Sequence, residues 1–145
     1  GNLRTAVMRA LWLGPIFALT FFAASATASE ALVDPPAISV PPGLTEKVVA
    51  KSIRLGVAQR GWIVTRQDPG YMESTLRLRT HVAKVGISYD TRSVQIRYLE
   101  SENLDYAVKK GVPRIHGNYL KWVKNLVHDI SLQLQAAEVD LGKAE

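Results

Sequence analysis

Arg77, Arg79, Lys84 and Arg97 fall on alternate positions of what reads as β-strand, with Arg92 in an adjoining turn. Gathered on one sheet face, these side chains would bind an anionic group: a phosphate, a carboxylate or a lipid headgroup. Arginine adds bidentate geometry to such a contact. The same pattern also fits a solvated face whose charges resist aggregation. A second group lies in the stretch Ser101-Glu102-Asn103-Leu104-Asp105-Tyr106 and continues to His116. Asn103, Asp105 and His116 are candidate binding residues because exposed loops carry much of binding function. Asn, Asp and Ser also bond to their own backbone and shape loops.

Catalytic chemistry finds little support. Ser101, Asp105 and His116 supply the residue types of a hydrolytic triad, but a triad is defined by geometry. There is no nucleophile elbow, phosphate-binding loop or glycine fingerprint. His81, His116 and His128 share no zinc spacing with each other or with an acid pair. For His116 a hydrogen bond at a helix start is the structural reading. The chain has no cysteine, which excludes disulfides, thiolate metal sites, cysteine nucleophiles and a lipid-acceptor cysteine. No cofactor, metal or catalytic residue is expected.

These side chains need a scaffold, and the chain supplies one. From Asn118 to about Ala137, Tyr119, Trp122, Val123, Leu126, Val127, Ile130, Leu134 and Ala137 fall on one side of a helix. Lys121, Lys124, Asn125, His128 and Gln135 fall on the other. A stripe that wide needs a surface to lie on. A first helix is expected over Thr45–Arg60, with Thr45 as N-cap, Leu44 and Val49 as a hydrophobic staple and Gly61 as its stop. Gly56 inside it costs about 1 kcal/mol relative to alanine. A close helix–sheet or helix–helix approach would explain its presence.

Between the helices run strands. Trp62–Gln67 is rich in β-branched and aromatic residues, and Asp68-Pro69-Gly70 is a turn. Met72, Leu76 and Leu78 alternate with Glu73, Thr75, Arg77 and Arg79. Ala83, Val85, Ile87 and Tyr89 alternate with Lys84, Gly86 and Ser88. After Asp90-Thr91-Arg92, Val94, Ile96 and Tyr98 continue the pattern. The expected fold is α+β: a two-layer sandwich of a four-stranded antiparallel meander with both helices on its apolar face, in the order α-β-β-β-β-α. Glu100–Gly117 has little periodicity and reads as an 18-residue loop, longer than the roughly 12–15 residues usual for one. Trp62, Tyr89, Tyr98, Tyr119 and Trp122 sit mostly on inner faces and read as core. The outer sheet face offers no stacking aromatics, which argues against RNA binding.

Before this domain, expected over residues 44–139 with a tail at 140–145, stand two other segments. Met8, Arg9, the apolar Ala10–Ala24 and Ala26-Thr27-Ala28 have the pattern of a secretory signal peptide, preceded by an upstream extension and cleaved near Ala28. The apolar run of 15 residues is short of the about 20 that span a bilayer, so no transmembrane span is expected in the mature form. Residues 29–43 hold Pro35-Pro36 and Pro41-Pro42 and read as an extended spacer. The net charge is +5, and +3 from Ser29 on, because Arg4 and Arg9 lie in the leader and no acid does. That mild positive balance suits an anionic surface and is no nucleic-acid signature.

Several short strings occur in order: Arg60-Gly61-Trp62, Pro69-Gly70, Leu78-Arg79-Thr80-His81, the Ser101–Tyr106 string, Ile115-His116-Gly117-Asn118-Tyr119, Trp122-Val123 and Asn125-Leu126. In these the chain resembles a group of small exported bacterial proteins, many of them lipid-anchored. The resemblance covers Val57–Ile130, roughly half the chain. It implies export and carries over no catalytic residue, since the group has no established function. This chain departs from the lipid-anchored members in lacking the acceptor cysteine. The expectation is a non-enzymatic, periplasmic or secreted module that binds an anionic ligand, an envelope surface or an envelope protein, and not nucleic acid. The alternative is a protein–protein interaction subunit that self-associates or joins an envelope complex, with Leu99 and Leu132 as exposed contacts.

Overall fold

The computed structural model describes residues 14–16, 18 and 29–143. Apart from those four positions, the expected leader and its cleavage site lie outside the described residues. The elements are β1 (Ser29–Ala31), β2 (Ile38–Ser39), α1 (Glu46–Ala58), β3 (Ile63–Asp68), β4 (Tyr71–Leu78), β5 (His81–Tyr89), β6 (Ser93–Glu102), β7 (Ala107–Lys109), β8 (Val112–His116) and α2 (Gly117–Lys143).

The α+β class holds, with antiparallel pairing throughout. The single four-stranded meander does not. The meander β3–β6 forms, but β2 adds to its β6 edge, giving a five-stranded sheet in the order β2-β6-β5-β4-β3. A second, three-stranded sheet runs β1-β8-β7. The stretch from Glu100 to Gly117 is thus no simple loop. It completes β6 and then forms the β7–β8 hairpin, with Lys110 and Gly111 both at positive φ in its turn. Its strands are too short for a period of two to show.

Residues 29–43 are extended, as their prolines require, yet they are bonded into the fold along their length. β1 pairs with β8, and the Leu32 N–H donates to the Pro113 carbonyl at 2.8 Å. The Asp34 carboxylate accepts from the Tyr98 N–H at 2.9 Å. The Pro35 carbonyl accepts from Gln95 Nε2 at 3.0 Å. β2 then pairs with Ser93 and Val94, and Val40 N–H donates to the Arg92 carbonyl at 2.9 Å. Ile38, Val40 and Leu44 are buried. The segment is a strap that closes the β6 edge and joins the two sheets.

One core holds the inner sheet positions Met72, Leu76, Ala83, Val85, Ile87, Val94 and Ile96 with Val49, Ile53 and Val57 of α1 and Tyr119, Val123, Leu126, Ile130 and Leu134 of α2. Trp122 packs against its edge. Thr45 caps α1 by accepting from the Val48 N–H at 3.2 Å. The helices meet where Gly56 faces Ile130: a Cβ on Gly56 would lie 2.7–2.9 Å from Ile130 Cγ1, Cα and N. This is a helix–helix approach that only glycine permits. One turn along, Arg60 Nε donates to buried Asp129 at 2.7 Å, fixing the crossing with a charged pair.

Candidate functional site

The strand registers place the charged side chains on the outer sheet face in rows. Arg66, Glu73, Gly86 and Arg97 share one row, Thr75, Lys84 and Glu100 the next, and Arg77, Val82 and Glu102 another. Acids therefore interleave with the bases the sequence singled out. Glu73 is the hub. Its carboxylate accepts from Lys84 Nζ at 3.1 Å and from the Tyr71 hydroxyl at 3.2 Å, and Arg66 Nη1 stands 3.7 Å away. Lys84 also faces Glu100 at 3.7 Å. The Lys84 hydrogen bond holds Glu73 below its ordinary carboxylate range, against the opposing pull of desolvation. Lys84 is thus occupied within the face. Among the described residues, Arg77, Arg79 and Arg97 belong to no ion pair.

Sequence reasoning missed Tyr71. It stands on this outer face, correcting the expectation that the face lacks aromatics. Its ring lies over Gly86, where a Cβ would come within 2.8 Å of the Tyr71 hydroxyl. The Arg66 guanidinium sits 5.8 Å from the ring centroid. Gly86 diagonal to Tyr71 was the available signal, because an aromatic ring commonly covers a strand glycine on the neighbouring strand.

The remaining candidates converge at one corner, where the β4–β5 turn meets the loop after β6. Arg79 occupies the first position of the two-residue β4–β5 turn at φ 57°. Next to it, Thr80 Oγ1 accepts from Asn103 Nδ2 at 2.6 Å. His81 Nδ1 donates to the Asn103 carbonyl at 2.6 Å, and its ring packs at 6.2 Å from that of Trp122. Asn103 and Asp105 are left-handed too, at φ 54° and 56°. Between them Leu104 is buried, and its carbonyl accepts from the His116 N–H at 2.8 Å. Arg77, Arg79, Asn103, Asp105 and His116 therefore belong to one end of the molecule, whereas Lys84 and Arg97 lie along the sheet face.

Left-handed backbone costs an ordinary residue about 1 kcal/mol or more, and glycine little. Arg79→Gly is accordingly expected to stabilise the protein, by about 0.5–1 kcal/mol in chemical denaturation. No gain would show that the turn is relaxed with arginine in place.

His116 has a defined structural role. Its Nδ1 accepts from the Asn118 N–H at 3.0 Å, capping α2. The Glu30 carboxylate lies beside Gly117, placing an anion at the positive end of this 27-residue helix. His116→Ala should cost about 1 kcal/mol, and His116→Asp should restore most of it. Equal losses in the two variants, read in urea melts, would exclude capping. The Ser101 hydroxyl bonds instead with the Tyr98 hydroxyl at 2.8 Å, so Ser101 and His116 each have other partners. Among the described residues no cluster of three or more His, Asp or Glu side chains gathers to hold a metal.

Among the described residues no helix is long and apolar enough to cross a membrane. Comparison of the chain with protein-family models, with curated proteins and with solved structures yields no match.

Proposed function

We propose that the protein is an exported, non-enzymatic module of the group it resembles, and that it engages an anionic group at the corner formed by Arg77, Arg79 and the Asn103–Asp105 loop. One observation carries this reading. Arg79 is held left-handed in a tight turn that glycine would fill at lower cost, and the turn is bonded to a loop that is itself left-handed at Asn103 and Asp105. Strain of this kind persists where a side chain must be aimed. Two arginines without ion-pair partners among the described residues stand at that corner, and guanidinium groups suit phosphate or carboxylate.

The test is an NMR titration with inorganic phosphate, comparing the parent with an Arg77→Glu/Arg79→Glu double variant. Shifts centred on Thr80 and Asn103 that vanish in the variant are expected. Absent shifts, or shifts that survive the charge reversal, would overturn the reading.

A second reading, self-association or entry into an envelope complex, has one observation in its favour. Among the described residues β3 is an edge strand of the five-stranded sheet, and its Ile63 is 65% exposed. A concentration-dependent rise in sedimentation coefficient, abolished by Ile63→Lys, would favour it over the first.

A further inference from the structure

The two faces of the sandwich differ in charge. On the outer sheet face Arg66, Arg77, Lys84 and Arg97 are offset by Asp68, Glu73, Glu100 and Glu102. On the helix layer, Lys47, Lys51, Arg54, Lys121 and Lys124 have no ion-pair partner among the described residues. Glu46, Glu138 and Asp140 are the exposed acids there, and Asp140 shares a groove with Lys51. The helices run antiparallel, since Gly56 meets Ile130, Arg60 meets Asp129, and Val48 lines the same groove as Asp140. Glu138 and Asp140 therefore lie toward one end, and Arg54, Lys121 and Lys124 occupy the rest.

The cations are joined by apolar tips. At helical spacing, Lys121, Lys124, His128, Leu132 and Val139 form one outward stripe of α2. Leu132 and Val139 are 48% and 57% exposed. Leu55 of α1 is also exposed, beside a groove of about 290 Å³ between the helices. A surface with unneutralised lysine and arginine around protruding aliphatic side chains matches the boundary of an anionic bilayer, where headgroups take the charges and the acyl region takes the aliphatic tips. A soluble polyanion would leave Leu55, Leu132 and Val139 in water.

We infer that the outward surface of the α1–α2 pair docks on an anionic lipid bilayer, with Arg54, Lys121 and Lys124 on headgroups and Leu55, Leu132 and Val139 at the acyl boundary. This surface is separate from the corner of Arg77 and Arg79, and either assignment stands without the other.

The experiment is vesicle co-sedimentation of the chain from Ser29 to Glu145, which contains every described strand and helix and omits the apolar leader. Its folding is verified by circular dichroism. Vesicles of phosphatidylcholine alone are compared with phosphatidylcholine mixed with phosphatidylglycerol. Binding is expected only to the mixture and should weaken as salt screens the charges. Each cation near an anionic surface strengthens binding roughly fivefold, so Arg54→Gln/Lys121→Gln/Lys124→Gln should weaken it roughly a hundredfold. Lys121 and Lys124 are exposed, Arg54 is half-buried, and none of the three belongs to the core. Leu132→Trp should blue-shift in emission when the mixed vesicles are added, reporting entry into the acyl boundary. Arg77→Glu/Arg79→Glu should still bind. Failure to bind the mixture, equal binding to phosphatidylcholine alone, or loss of binding in the Arg77/Arg79 variant but not the helix variant would each overturn the inference. An unshifted Leu132→Trp would overturn the contact assigned to the apolar tips.

Discussion

A chain that begins at Leu44 is expected not to fold. It would start where a reading by hydrophobic period begins the domain, and it would keep both helices and the strands β3–β8. It would lose β1 and β2, and with them Ile38 and Val40 from the core and Leu32 from its edge. Fully burying a large aliphatic side chain contributes about 1.5–3 kcal/mol, so two buried side chains and the half-buried Leu32 amount to about 4–7 kcal/mol. Domains of this size are stable by about 5–15 kcal/mol in total. The β6 edge would also be uncovered, because the Tyr98 N–H, Gln95 and the Arg92 carbonyl lose their partners in the strap. Arg114 would lose Ser29, to which its Nε donates at 3.1 Å and its Nη2 through the carbonyl. Circular dichroism and size-exclusion chromatography of the 44–145 chain should show loss of the cooperative transition and aggregation. A sharp thermal melt near that of the 29–145 chain would mean that the strap is dispensable.

Gly56→Ala should be the most damaging single methyl group in the molecule. On an exposed helix the substitution would gain about 1 kcal/mol. Here the new carbon meets Ile130 at 2.7–2.9 Å, well inside contact distance. Overpacking in a filled core costs about 1–3 kcal/mol, and more where backbone must move. Two of the three near atoms are Ile130 Cα and N, so shortening the Ile130 side chain cannot relieve the clash. A net loss of about 2 kcal/mol or more is expected in urea denaturation, with no rescue by Ile130→Val. The helix crossing would shift, and the Arg60–Asp129 bond beside it would lengthen. Unchanged stability would mean that the helices stand further apart than 56 and 130 indicate.

The contrast between these two positions marks what a linear reading can reach. Gly56 was visible because a glycine inside a helix violates a local preference and so demands a neighbour. The strands from Met72 to Tyr98 are legible because each is long enough to alternate several times: of the inward set, Met72, Leu76, Ala83, Val85, Ile87, Tyr89, Val94 and Ile96 are buried, while Tyr98 is half-buried and Leu78, at the end of its strand, is exposed. The strap reads as a spacer because proline removes donors, yet beside Pro35 the donors come from the other side, Tyr98 and Gln95 bonding to Asp34 and Pro35, and away from the prolines Leu32 and Val40 donate from the strap itself. β1, β2, β7 and β8 each run five residues or fewer, too few for a period to register.

The candidate site divides in the same way. The rule of alternation puts Arg77, Lys84, Arg97 and also Glu73 on the outer face, but it does not say which of them stand side by side. Glu100 and Glu102 arrive there through strand register, and register depends on turn geometry and on a bulge between Lys84 and Val85. The meeting of Thr80 with Asn103 spans 23 positions, and nothing local announces it.

The pairing of Ser29 with His116 also governs the order of assembly. The residues translated earlier must wait, unbonded, for a hairpin made more than eighty positions later. Such distant closure slows folding and prolongs the interval in which the bare β6 margin invites a foreign strand. Escape from aggregation therefore rests on rapid closure of that last seam more than the modest size of the domain would suggest.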